Sequence, residues 1–185
     1  MRKCVIWTIP ILFVAALAAA SSDYLSAKRK IDQIGSDRLK AGTRLELTQP
    51  ELNAYAQQEA PEGVRNARLQ VLSPGVVAGS ALVDFNKLRR AQGYQPGWLM
   101  SKLLEGEHPV SVTALIRSGN GRATVDVQRA EISGIVVDGR TVEFLIQNFI
   151  VPSFPEAIVG QPFDMGHHIE RLDVQPAAVA VLIGR

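Results

Sequence analysis

The stretch HPVSVTALIRSGNGRATVDVQRAEISGIVVDG, residues 108–139, decides the fold class. In its first part every second residue is apolar: Val110, Val112, Ala114 and Ile116. After the turn sequence SGNG the same alternation continues with Ala123, Val125 and Val127. A period of two on both sides of an Asn-Gly pair is typical of an antiparallel β-hairpin, because these two residues tolerate the left-handed backbone of a tight turn. The sequence therefore predicts two long strands joined by a hairpin.

The second strand of this hairpin changes phase along its length. After Val127 the apolar positions continue at Ala130 and Ile132, so the alternation shifts by one residue. A one-residue shift within a strand indicates a β-bulge, which bends the strand and increases its twist. We therefore expect a bent strand in a curved sheet.

Further strand patterns lie on both sides of this hairpin. Residues 64–85 contain two strands around Ser73-Pro74-Gly75, where Pro presets φ and Gly permits a left-handed residue. Short strands are also expected at residues 44–47, 167–174 and 177–184. Since hairpins dominate this order, we predict an α+β fold: a curved antiparallel sheet of about six to seven strands, with two main helices packed on one side.

The first of these helices follows residue 48. Thr48 stands three residues before Glu51, which is the spacing of a capping box, and Pro50 lies in the first turn, where a missing N–H is tolerated. The second helix is predicted at residues 141–150, with the apolar stripe Val142, Leu145, Ile146 and Phe149. Phe144 and Ile150 make a second side apolar, so we expect this helix to be buried on more than one face.

The N-terminal segment has the composition of an export signal. Arg2 and Lys3 precede an uncharged apolar run at residues 4–20 that ends in Ala18-Ala19-Ala20. We therefore expect a signal peptide at residues 1–20, or an uncleaved anchor because basic residues 28–30 follow closely. A tether with a short helical piece is expected at residues 21–43, and a single α+β domain at residues 44–185. The predicted location is periplasmic or envelope-associated.

Charge and cysteine content exclude several classes of protein. The chain has 20 basic and 18 acidic residues, and removal of the predicted signal with Arg2 and Lys3 leaves 18 of each. A nucleic-acid binder needs a basic excess or stripe, so no nucleic-acid partner is expected. The one cysteine, Cys4, lies within the predicted signal, which leaves the domain without a disulfide, a thiolate nucleophile or a cysteine metal ligand.

No catalytic residue, metal site or cofactor is predicted from the remaining motifs. His167 and His168 are adjacent to each other, and neighbouring side chains on a strand point to opposite faces, whereas zinc needs three or four convergent ligands. Asp84, Asp126 and Glu131 are expected on different strands, and nothing in the sequence brings two of them together. An enzyme acting on envelope glycan through such carboxylates stays an open alternative.

One short apolar segment lies in a long connection. GWLMSKLLEG, residues 97–106, gathers apolar side chains on one side of a helix: Trp98, Leu99, Met100, Leu103 and Leu104. In one interpretation this turn-and-a-half caps the core. In the other it is a mobile lid or an interfacial foot, since Trp with Leu and Met is typical of an apolar boundary.

The order of segments resembles a known group of proteins. LELTQPELNAYAQQEAP and VLSPGVVAGSALVDF follow an apolar N-terminal segment and a basic linker. This arrangement resembles bacterial envelope proteins of the tubular lipid-binding superfamily and the YpmS-like group, in motif over residues 40–86 and in element order beyond them. The resemblance implies an apolar groove for acyl chains between a helix and a curved sheet.

These observations predict an exported, non-enzymatic protein that binds a lipid or another apolar ligand at the cell envelope. The residues expected to line the groove or form the foot are Trp98, Leu99, Met100, Leu103, Phe144, Ile146 and Phe149. Membrane association is expected through the anchor or through residues 98–104. The alternative is an envelope scaffold or assembly module that uses the same apolar surface for a protein partner.

Overall fold

The computed structural model of the chain describes residues 9–93, 105–151 and 160–185, and the side chains within these ranges except those of residues 9–21, 149 and 150. Two antiparallel sheets and several helices make up this part of the chain. The predicted α+β class and the antiparallel sheet of six strands are confirmed. A separate three-stranded sheet accompanies the larger one.

The helices and strands have the following bounds. The helices are α1 Ile9–Gly35, α2 Gln49–Gln58, α3 Phe85–Ala91 and α4 Gly139–Leu145, which continues as a π-helical turn, Ile146–Ile150. The strands are β1 Arg44–Thr48, β2 Val64–Ser73, β3 Val76–Val83, β4 His108–Gly119, β5 Arg122–Ile132, β6 Ile135–Val136, β7 Phe163–Asp164, β8 Ile169–Gln175 and β9 Ala178–Ile183.

The larger sheet has the strand order β2-β3-β4-β5-β6, and its sixth strand, β7, also pairs with β5. The smaller sheet has the order β1-β9-β8. The β4–β5 hairpin turns at Asn120 and Gly121, whose φ angles of 52° and 78° are the left-handed values that the Asn-Gly pair predicts. Thr113 pairs with Arg129 and Ala114 with Val127, so Gln128 is the extra residue of a bulge. The predicted bulge is therefore confirmed, and it lies one residue after Val127.

Helix α2 begins with the predicted capping box and covers the outer edge of β2. The Thr48 N–H donates to Glu51 Oε2 over 2.8 Å, and Thr48 Oγ1 accepts from the Glu51 N–H. Asn53 Oδ1 accepts from the Leu69 N–H at 2.7 Å, while Gln49 Nε2 donates to the Leu69 carbonyl. These side chains occupy backbone groups on the free edge of β2, which blocks that edge from pairing with another chain.

Helix α1 requires a correction of the expected tether. Residues 22–35 continue a single helix from Ile9, and Ala27 and Ile34 on that helix are buried. Ile34 packs with Val181 and Ile183 of β9 in the core of the smaller sheet. This part of the chain is helical because its weak apolar spacing is completed by a packing surface distant in sequence. None of the helices in the described ranges combines the length and apolarity needed to cross a membrane.

The core is divided between the two sheets. Around the larger sheet, Val83, Phe85 and Leu88 form a buried cluster against which Leu145 of α4 packs. The second cluster is the one that contains Ile34. Helix α4 therefore contacts the first cluster through Leu145.

Candidate functional site

A gap in the edge of β5 positions the candidate site. Strand β4 occupies one edge of β5 over its whole length, while β7 and β6 pair with only the two ends of the other edge. Among the described residues, 124–130 have no strand partner on this outer edge. The Val125 carbonyl instead accepts from the Gly160 N–H at 2.9 Å, and the Ala130 carbonyl accepts from the Val137 N–H at 3.0 Å.

Helix α4 and the π-helical turn lie beside this gap and enclose a groove of about 580 Å³. The apolar residues that line it are Val127 of β5 and, on the helical side, Val142, Ile146 and Val151. This volume lies within the range of about 300–1,000 Å³ that small-molecule sites occupy. The groove thus has one aliphatic residue on the sheet side and three on the helical side, among acidic and amide side chains.

Local sequence signals position the helical wall. Asp138 is the N-cap of α4, and its Oδ1 accepts from the Thr141 N–H at 2.8 Å. Hydrogen bonds from the Thr141 side chain and backbone hold the pKa of Asp138 below its ordinary value. At the other end the Val151 N–H donates to the Ile146 carbonyl five residues earlier, over 2.9 Å. The wider π turn therefore places Val151 one turn after Ile146 on the groove side, and such turns are frequent at functional sites.

Two carboxylates lie at the groove. Asp126 forms an ion pair with Arg117 of the neighbouring strand. Glu143 is exposed on α4, one helical turn before Ile146, and it forms no ion pair within the part of the chain that the structure describes. The described lining contains no Lys or Arg, and its two charged side chains, Asp126 and Glu143, are both acidic.

Comparison of the chain with protein-family models, with curated proteins and with solved structures found no significant match. The resemblance to the tubular lipid-binding superfamily therefore stays a prediction from the sequence.

The structure places the predicted site residues in three different situations. Ile146 lines the groove, as expected. Phe144 lies elsewhere on α4 and is 46% exposed. Phe149 lies in the π turn, but its side chain is outside the described part of the structure. The other predicted residues lie entirely outside the described ranges: Trp98, Leu99, Met100 and Leu103.

The expected burial of the second helix on more than one face is wrong for the side chains described in α4. None of them is buried. The reason is that α4 lies at the end of the sheet beyond the two-residue strand β6, where Leu145 meets the core and Val142 meets the groove. On the same helix Phe144 is left 46% exposed.

Val127 and Val151 are groove residues that the sequence did not single out as such. Val127 ends the first phase of alternation in β5, directly before the bulge, so the phase shift was the signal that could have found it. No comparable signal marked Val151, because the π turn that places it depends on the packing of the whole segment.

A second surface depression, about 770 Å³, is a different and polar site near the turn before β8. His167 and His168 both have left-handed φ angles, 49° and 55°, so they form this turn and do not alternate along the strand as expected. His167 Nδ1 lies 3.0 Å from Asp37 Oδ1. Across the described residues no group of three His, Cys, Asp or Glu side chains is placed to hold a metal ion.

The three carboxylates considered for catalysis each have a separate local partner. Asp84 caps α3 by accepting from the Lys87 N–H at 2.9 Å. Asp126 and Glu131 lie on the same strand, β5, and not on different strands as expected. Asp126 pairs with Arg117, and Glu131 pairs with Arg129 of β5. Structural partners thus account for the position of each one.

Proposed function

We propose that this protein binds a lipid or another apolar ligand in the groove between α4 with its π turn and β5. The observation that carries the proposal is the apolar lining on both walls of this groove, Val127 on one side and Val142, Ile146 and Val151 on the other. Val127 lies in the part of β5 that has no strand partner on its outer edge among the described residues, and the other three residues lie on the helical side. An acyl chain bound in the groove would therefore contact both sides.

The expected affinity is modest. Complete burial of one aliphatic side chain contributes about 1.5–3 kcal/mol, and the groove residues are already partly buried. Partial burial of four such side chains, together with the apolar surface of the ligand, corresponds to dissociation constants on the order of millimolar to micromolar. Such a site suits reversible holding of a ligand.

The proposed protein acts at the cell envelope and binds its ligand without catalysing a reaction. Support for export comes from the basic and apolar composition of residues 1–20. Support for a binding role in place of a catalytic one comes from the local structural partners of Asp84, Asp126 and Glu131.

A second candidate function is an envelope scaffold or assembly module. The observation that favours it is exposed apolar surface on the two-residue edge strand β6, where Ile135 is 69% and Val136 52% exposed. An edge strand with exposed apolar side chains can add a strand from a partner chain. Phe144, on the helix that follows, is also exposed, at 46%.

Native mass spectrometry of the full chain, purified from a bacterial host and followed by organic extraction, tests the two functions. The binding function predicts a co-purified amphiphile at stoichiometric level, or saturable uptake of added dodecanol by an emptied preparation. The scaffold function predicts a stable oligomer or complex that Ile135→Ser dissociates. A monomer that takes up no added dodecanol would refute the binding function.

A further inference from the structure

The charges at the groove favour one kind of ligand head group. The two charged side chains in the described lining, Asp126 and Glu143, are both acidic. Arg117 compensates Asp126, whereas Glu143 forms no ion pair within the described residues. Arg140 lies three residues before Glu143 on α4, but it neither lines the groove nor lies within ion-pair distance of Glu143.

Glu143 is placed to meet the polar end of a ligand whose chain lies along the helix. It precedes Ile146 by three residues and Gln147 by four, and these spacings share one side of a helix. Its carboxylate therefore lies next to the apolar wall and at the solvent side of the groove. The Gln147 and Gln161 amides add neutral hydrogen-bonding groups to the same lining.

Resting on the proposed function, we infer that the groove binds a single-chain amphiphile with a cationic amine head group, with Glu143 as its anionic contact. An amine near an uncompensated carboxylate gains a charge-assisted hydrogen bond. A carboxylate or phosphate head would meet a like charge at the same place and would have no basic partner in the described lining. One groove of about 580 Å³ suits a single small ligand.

Three probes that share one chain and differ in head group test this inference on the full-length protein: dodecylamine, dodecanol and dodecanoate. Isothermal titration calorimetry at neutral pH and low salt measures each Kd below the micelle concentration. We expect dodecylamine to bind about tenfold more tightly than dodecanoate, with dodecanol between them, because one partly screened charge contact is worth about a factor of ten.

Two variants assign the preference to its residue. Glu143→Gln should reduce the ratio between dodecylamine and dodecanoate to about threefold or less. Glu62→Gln removes an exposed acid in the turn before β2, outside the groove lining, and should leave all three values unchanged. Raised salt should lower the ratio as well, since exposed charges are screened.

The outcomes separate this inference from the function on which it rests. If no probe binds, the proposed function is refuted, and the head-group preference with it. If dodecanoate binds as tightly as dodecylamine, the groove binds apolar chains and the amine preference is refuted. If the preference is present but Glu143→Gln leaves it unchanged, the assignment to Glu143 is refuted.

Discussion

Lys30 Nζ lies 2.7 Å from Glu51 Oε1 and 2.8 Å from Glu51 Oε2, and this contact joins α1 to the first turn of α2. Glu51 is only 4% exposed. Its carboxylate also accepts from the Ser26 hydroxyl and from the Thr48 N–H. These hydrogen bonds and the Lys30 counter-charge offset the desolvation cost of the buried carboxylate. The same contacts hold α1 against α2.

Replacement of Glu51 by Gln should lower the free energy of unfolding by about 2–4 kcal/mol, because the partly buried Lys30 ammonium would lose its counter-charge. Urea denaturation followed by circular dichroism measures this change. The control is Asp32→Asn, which removes an exposed i,i+4 pair with Lys28 and should change stability by less than about 0.5 kcal/mol. Equal effects of the two substitutions would contradict a special role for Glu51.

The same carboxylate makes stability depend on acid. Burial by itself would raise the pKa of Glu51, but hydrogen bonds from Lys30, Ser26 and Thr48 outweigh it and lower the pKa from 4.5 to about 2. Because the folded-state pKa is the lower one, the stabilisation is complete above about pH 4.5 and is lost as the pH falls toward 2. We expect a loss of roughly 3 kcal/mol across this window.

Unfolding free energies measured by urea titration at several pH values in this window test the acid dependence. The Glu51→Gln variant should show a shallower dependence than the natural chain. Some dependence should persist in it, because the pKa of Asp138 and the pKa of Asp173 are also lowered, by hydrogen bonds to Thr141 and to Gln175 and Arg44 respectively. Identical slopes for variant and natural chain would contradict the assignment.

Local signals in the sequence predicted several elements correctly. The Thr48–Glu51 capping box and the Asn120-Gly121 turn each depend on residues within a few positions of one another. The bulge at Gln128 was found because strand periodicity is interrupted within one strand. In each case the physical cause lies inside the segment that the sequence displays.

Long-range pairing was the part that could not be predicted. Strand β1 pairs with β9, Arg44 opposite Leu182, and this contact creates a second sheet that no local pattern indicates. The Lys30–Glu51 pair also joins segments that are separate in sequence, so residues 22–35 gave only a weak helical pattern. The groove depends on such placement as well, since Val127 and Val142 come from different elements.

A glycine between α2 and β2 should tolerate no side chain. Gly63 has a φ of 92°, and an added Cβ would lie 2.6 Å from the Leu88 nitrogen and 2.8 Å from the Asp84 oxygen. Gly63→Ala should therefore lower the free energy of unfolding by about 3 kcal/mol or more, through backbone strain and overlap with α3. Thermal and urea unfolding measure this loss.

Gly93→Ala is the matched control for this substitution. Gly93 also has a left-handed φ, 82°, but an added Cβ would meet no atom of the described residues within 4 Å. Gly93→Ala should therefore lower the free energy of unfolding only through backbone strain, by about 1–2 kcal/mol. A Gly63→Ala variant no less stable than Gly93→Ala would show that α3 can move away from the turn at little cost.

The two faces of α4 should respond differently to polar substitution. Ile146 lines the groove, whereas Phe144 is exposed and outside the groove lining. Ile146→Ser should weaken dodecanol binding about tenfold, since one aliphatic contact of roughly 1.5 kcal/mol is lost. Phe144→Ser should leave the Kd within about twofold, as measured by isothermal titration calorimetry.

Circular dichroism of both variants shows whether α4 persists, so that a loss of affinity can be assigned to the groove and not to unfolding. The opposite pattern, with Phe144→Ser weakening binding and Ile146→Ser leaving it intact, would place the apolar contact on the outer face of α4. Phe144 on that face is exposed, as are Ile135 and Val136 of the preceding strand. The scaffold function assigns these exposed side chains to a protein partner. The pair of substitutions thus decides between the groove and the assembly surface.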